Sequence, residues 1–143
     1  MPAKKTAIAN PPRAPLTLEF LEGAFAVSRM EPDAAVPDWA ATARWFSISR
    51  TADELSVVCP VESVPAGVTA VSPWAMFRVA GALDFDEIGV LAGLSRALAD
   101  ADISVFVVST FDTDYVLVRE SDAANARTCL KLAGHKWTNE HPP

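Results

Sequence analysis

Histidine, cysteine and glycine are scarce in this chain, and each scarcity removes a class of function. The two histidines, His135 and His141, stand at the C-terminal end, away from any acid–base constellation. The two cysteines, Cys59 and Cys129, are too distant for a CxxC pair and supply no disulfide framework. With so few such ligands there is no zinc spacing. The six glycines form neither a GxGxxG fingerprint nor a phosphate loop. No stretch approaches the roughly 20 apolar residues that a membrane-spanning helix needs. No enzyme activity, cofactor or metal is expected.

Basic residues are also few. Twelve Lys and Arg stand against eighteen Asp and Glu, for a formal net charge of −6. Lys4, Lys5 and Arg13 fall within the first thirteen residues, which hold no acid. The remainder is nine basic against eighteen acidic side chains, or −9. A body this acidic argues against nucleic acid and anionic membrane as partners. The opening MPAKKTAIANPPRAP lacks the continuous apolar run of a signal peptide. A soluble, reduced, cytoplasmic protein is the expectation. Half of the residues are hydrophobic. That is enough for the core of one ordinary domain, or of two very small ones fused.

What is present is organised in two textures between a flexible tail at 1–15 and a loose end at 138–143. The first, 16–65, reads as strands: L-T-L-E-F, A-F-A-V-S-R, R-W-F-S-I-S-R and L-S-V-V-C, with a short helical turn expected near 38–43. In the second, W-A-M-F-R-V-A at 74–80 is a strand. A helix is then expected from Asp84 to about Asp100, with Phe85, Ile88, Leu91, Leu94, Ser95 and Leu98 on one stripe. Asp84 as N-cap and Glu87 three residues later have capping-box spacing. D-I-S-V-F-V-V-S-T-F-D-T-D-Y-V-L-V-R-E at 102–120 reads as a hairpin. Ile103, Val105 and Val107 point to one face, Phe106 and Val108 to the other, so both faces of its sheet should be covered. A second helix follows, capped by Ser121 and ended by Gly134. The order predicts an α+β unit with both helices on one side of an antiparallel sheet.

The run G-A-L-D-F-D-E-I-G-V-L-A-G-L-S-R-A-L-A-D-A-D-I-S-V-F-V-V-S-T-F-D-T-D-Y-V-L-V at 81–118 resembles the ACT domain, a ferredoxin-like βαββαβ ligand-binding module. L-S-V-V-C-P at 55–60 and the Trp74-Ala-Met-Phe-Arg strand fit the same pattern. The subgroup it looks like includes the arginine-sensing CASTOR proteins and small bacterial ACT proteins. The resemblance implies an ACT domain at 66–137 packed with a degenerate, strand-rich ACT-like half at 16–65. It implies a non-catalytic regulatory protein that binds an amino acid, as a homodimer. It further implies that Asp114 matches a ligand-contacting aspartate, with Thr110 and Phe111 as its neighbours, and that Glu87 matches a ligand-contacting acid. The facing wall would come from 55–65 or from a second subunit.

The residues support that chemistry directly. Free N–H groups at a helix start, near Asp84, Glu87 and Gly89, suit a carboxylate. The carboxylates of Asp112 and Asp114, beside the hydroxyls of Thr110 and Thr113, suit an ammonium or guanidinium. Plainer readings stand next to these. Asp112 and Asp114 can satisfy their own turn. Glu87 can serve as a cap, and the acids between 84 and 114 as a solvated face. Gly89 and Gly93, each costing about 1 kcal/mol in a helix interior, can permit close helix packing. Trp45 and Trp74 are expected in strands as core or interface aromatics. The competing functional reading is a structural module that uses its apolar sheet only to dimerise.

Overall fold

The computed structural model describes residues 15–81 and 88–138. Its strands are β1 Thr17–Phe20, β2 Phe25–Met30, β3 Ser47–Arg50, β4 Leu55–Pro60, β5 Ala70–Val79, β6 Val105–Ser109, β7 Asp114–Arg119 and β8 Lys136–Trp137. The helices are α1 Asp38–Ala41, α2 Val90–Asp100 and α3 Ala123–Leu132. The architecture is α+β, with one eight-stranded sheet among the described residues.

The long strand β5 organises the sheet. Its first half pairs antiparallel with β2, through Phe25↔Trp74 and Val27↔Val71. Its second half pairs along the same side with β1, through Leu18↔Val79 and Phe20↔Phe77. On its other side β7 runs antiparallel, from Trp74↔Arg119 to Arg78↔Tyr115. Two βαββαβ-like units therefore share one strand. The first runs β2, α1, β3, β4 and the start of β5, in spatial order β3-β4-β2-β5. The second runs from the end of β5 through α2, β6, β7 and α3 to β8. In this unit β1 stands between β5 and β8, pairing parallel with β8. β1 belongs by sequence to the 16–65 segment, yet Leu18 and Phe20 lie in the core beneath α2 and α3.

Alternation decides which face each side chain covers. Ala75, Phe77, Val79, Val116 and Val118 face the buried stripes of α2 and α3, which are Val90, Leu94 and Leu98, and Ala123, Ala126 and Leu130. Val105 and Val107 pack on this face. Phe106 and Val108 pack on the other, with Met76, Leu117 and Tyr115. That second face is covered by the first unit: Phe25 and Val58 join the same cluster. The rings of Trp45 and Tyr115 meet there edge-on at 5.2 Å. α1 covers the outer face of the first unit over Val57 and Cys59.

Several local expectations are corrected. α2 starts at Val90 with Gly89 as its N-cap, instead of Asp84. Gly89 has φ +78°, a left-handed conformation that glycine adopts without the Cβ clash of other residues. Ile88 falls outside the helix and is 77% exposed, so the apolar stripe loses its first turn. Gly93 does lie in α2, but a Cβ there would meet nothing within 4 Å, which removes the close-packing explanation. The N-cap of α3 is Asp122, after a 3₁₀ turn at Glu120–Asp122 that absorbs Ser121. Trp45 precedes β3 rather than standing in it. The end of α3 follows expectation. Gly134, at φ +100°, lets its own N–H reach Lys131 O while the His135 N–H reaches Leu130 O.

Candidate functional site

The 110–114 turn joins β6 to β7 beside the end of β5, and its hydroxyls hold it there. Thr113 is buried, and its Oγ1 donates to the carbonyl of Val79 at 2.9 Å. The Thr110 N–H donates to Thr113 O at 2.9 Å, closing the hairpin. Thr110 Oγ1 donates to the same carbonyl at 3.1 Å. Both threonine hydroxyls are thus engaged in shaping the turn. This occupation is a role the sequence left open between turn and ligand.

The carboxylates behave differently. Asp114 is half-buried at the start of β7, and its Oδ1 accepts from Ser109 Oγ at 2.6 Å. Ser109 is its register partner across the hairpin. Its second oxygen has no protein donor among the described residues. The bond is to a side chain, not to the turn's own backbone as an Asx turn would require. Asp112 is exposed at the tip, and Phe111 beside it is 79% exposed. Ser109 is the partner the sequence reading missed. Its only signal was its place opposite Asp114 on a two-residue period.

The chain leaves the end of β5 through Gly81, at φ +83°, and returns at Gly89 to enter α2. Asp84 and Glu87 lie outside the described residues. No side chain among the described residues caps α2, and the first intrahelical bond is Gly93 N–H to Gly89 O. The N–H groups of Val90, Leu91 and Ala92 precede that bond and have no intrahelical partner. The Thr113–Val79 bond ties the acidic turn to the strand end from which this segment departs.

Elsewhere, no cluster of His, Cys, Asp and Glu among the described residues has the geometry to hold a metal. Burial raises both thiols above their ordinary value: Cys59, where the charge of Glu62 adds to the effect, and Cys129. Neither has the depressed pKa of a reactive nucleophile. No helix among the described residues is long and apolar enough to cross a membrane.

Comparison with known proteins bears on the family and the fold. The family model for the ACT domain matches residues 69–131, and a model for the N-terminal domain of a related protein matches 23–67. A crystal structure of a protein from Agobacterium tumefaciens is 37% identical, with a TM-score of 0.83 over 90% of this chain and 96% of that one. The regulatory subunit of aspartate kinase from Thermus flavus shares the fold alone. It is 12% identical, with a TM-score of 0.60 over 86% of this chain and all of that one. Among curated proteins, the human cytosolic arginine sensor for mTORC1 subunit 1 is 48% identical over 48 residues. Those residues are 33% of this chain, which spans only 15% of the sensor's length.

Proposed function

Because the chain belongs to the ACT-domain family, we propose that it is a non-catalytic regulatory protein whose ligand is an amino acid. The observation that carries this reading is Asp114, a half-buried carboxylate with one oxygen held by Ser109 and the other without a donor among the described residues. In this reading the ligand's α-carboxylate meets the first-turn N–H groups of α2, reached over Gly89, where no Cβ obstructs the approach. Its ammonium, or a cationic side chain, meets Asp114. Asp84 and Glu87 add negative charge from the connecting segment, and Asp112 from the turn tip. Thr110 and Thr113 fix the turn, and Phe111 supplies an apolar edge. The partial match to an arginine sensor, together with this acidity, makes arginine the first ligand to test.

The resemblance implies a homodimer, and the competing reading uses the two apolar faces of the hairpin to dimerise. The first unit already covers the second face, so a second copy is not needed to bury it.

The test is a thermal-shift panel of the common amino acids on ligand-free protein. A ligand at 100 times its Kd should add about 2.7 kcal/mol of stability. Asp114→Asn should remove the response while leaving the unliganded stability within about 1 kcal/mol, the scale of its single hydrogen bond to Ser109. No response to any amino acid would defeat the proposal. A response that survives Asp114→Asn would confine Asp114 to shaping the turn.

A further inference from the structure

The end of β7 holds an exposed arginine that is fixed in place by an aromatic ring and not by an acid. Arg119 faces Trp74 across the β5–β7 ladder, and its guanidinium carbon lies 4.4 Å from the centre of the indole. The indole is itself immobilised. Trp74 is buried among Phe25, Met76 and Leu117, and its Nε1–H donates to Val71 O at 3.0 Å. Stacking engages one face of the guanidinium and leaves its in-plane N–H donors free to bind. Those donors have no acceptor among the described residues. Elsewhere Arg29 pairs with Glu31 and Glu54, Arg44 with Glu62, Arg78 with Glu19 and Arg96 with Asp100. Arg50 donates to the carbonyls of Pro32 and Ala34. Arg119 makes no such contact, even with Glu120 beside it in the chain.

The backbone brings further donors to the same place. Between Phe25↔Trp74 and Val27↔Val71, β2 advances two residues and β5 advances three. The resulting bulge holds Ser72 and Pro73, just beyond the last β5–β7 pair at Trp74↔Arg119. A bulge at the end of a ladder re-aims the side chains it carries. Here Ser72 and Pro73 line one cleft of about 570 Å³ with Arg119, Glu120 and Ser121. The hydroxyls of Ser72 and Ser121 have no hydrogen-bond partner among the described residues. A planar cationic fork and two uncommitted hydroxyls therefore share this cleft.

We propose that this cleft binds a carboxylate, held bidentate on the Arg119 fork with the hydroxyls of Ser72 and Ser121 as additional donors. Glu120 in the same wall opposes a second negative charge, which favours a carboxylate over a tetrahedral dianion. The proposal is independent of the amino-acid site. Asp114 and Arg119 stand at opposite ends of β7, about 17 Å apart along the strand.

The test is an NMR titration of the full, ligand-free chain with sodium acetate at constant ionic strength, reading the Nε–H of every arginine. Saturable shifts are expected at Arg119, the Trp74 indole N–H and the amides of Ser72 and Ser121, with Arg29, Arg44 and Arg96 unmoved. Acetamide, the neutral isostere, should produce none. Arg119→Lys keeps the charge but loses the fork, and should weaken binding by about fivefold or more. Asp114→Asn should leave acetate binding unchanged, which separates this site from the amino-acid site. Acetyl-glycyl-glycine identifies the source of the carboxylate. Binding about tenfold tighter than acetate would assign the cleft to a peptide C-terminus, and equal binding to a small organic acid. Three results would overturn the proposal: equal shifts at all arginines, a response that survives Arg119→Gln, or sulfate binding more tightly than acetate.

Discussion

His135 joins the two ends of the second unit by a single bond. Its Nδ1 accepts from the Leu16 N–H at 3.1 Å, linking the start of β1 to the start of β8. That bond requires the neutral ring with its proton on Nε2, because a protonated Nδ1 becomes a donor. Burial lowers the pKa of His135 from 6.5. The sign follows from linkage. As pH falls through 6.5, the unfolded chain takes up a proton that the folded chain resists, so stability is complete above 6.5 and is lost below it. Urea midpoints measured at pH 7.5 and pH 5 should fall with acidity. His135→Asn keeps an acceptor at this position but does not titrate, and should flatten that part of the slope. An unchanged slope would place the pH dependence elsewhere. Gly93 gives a second test at this scale. It is exposed in the helix interior with open space at its Cβ position, so Gly93→Ala should stabilise by about 1 kcal/mol. A loss of stability would mean the residue has a neighbour that the fold does not reveal.

At the scale of elements, the start of α2 is where sequence and structure part. Capping-box spacing and an apolar period both point to Asp84, and nothing in the residue types from 84 to 88 argues against a helix. What decides the boundary is the left-handed backbone at Gly89, which ends any helix arriving from the N-terminal side. A glycine inside a helical pattern carries no mark of its φ, so this could not be read from the chain. Gly89→Ala should destabilise by about 1 kcal/mol, because the new Cβ opposes φ +78°. Gly89→Asn should cost less, since asparagine visits that region more readily. Equal costs for the two would argue against the left-handed cap. The hairpin, by contrast, was legible in detail. Strict alternation from Ile103 to Val108 assigned each side chain to the face it occupies. The site was legible only in part. Asp114 stood out by its resemblance to a ligand-binding position, whereas its partner Ser109 depends on strand register, which no local pattern encodes.

For the whole molecule, the consequence of largest reach is the sharing of β5. In sequence the chain divides into a strand-rich segment and a βαββαβ segment, as if two small domains were joined end to end. In the structure, β1 from the first segment completes the sheet of the second, and β5 is a strand of both. The cluster of Phe25, Val58, Trp74, Met76 and Leu117 belongs to neither unit alone. Unfolding one unit would strip a strand pairing and half of this cluster from the other, so the units should unfold as one cooperative transition. The tryptophans can report on this separately. Trp39 and Trp45 pack in the first unit or at its inner face, and Trp137 stacks on Phe20 in the second at 4.7 Å. Single-tryptophan variants retaining Trp39 or Trp137 should give coincident urea midpoints, matching far-UV circular dichroism. Met76, fully buried between the units, extends the test. Met76→Ala should cost about 2–5 kcal/mol and lower both tryptophan midpoints by the same amount. If Trp137 held its midpoint while Trp39 lost its own, the second unit would be shown to stand without the first, and strand sharing would then be a matter of geometry alone.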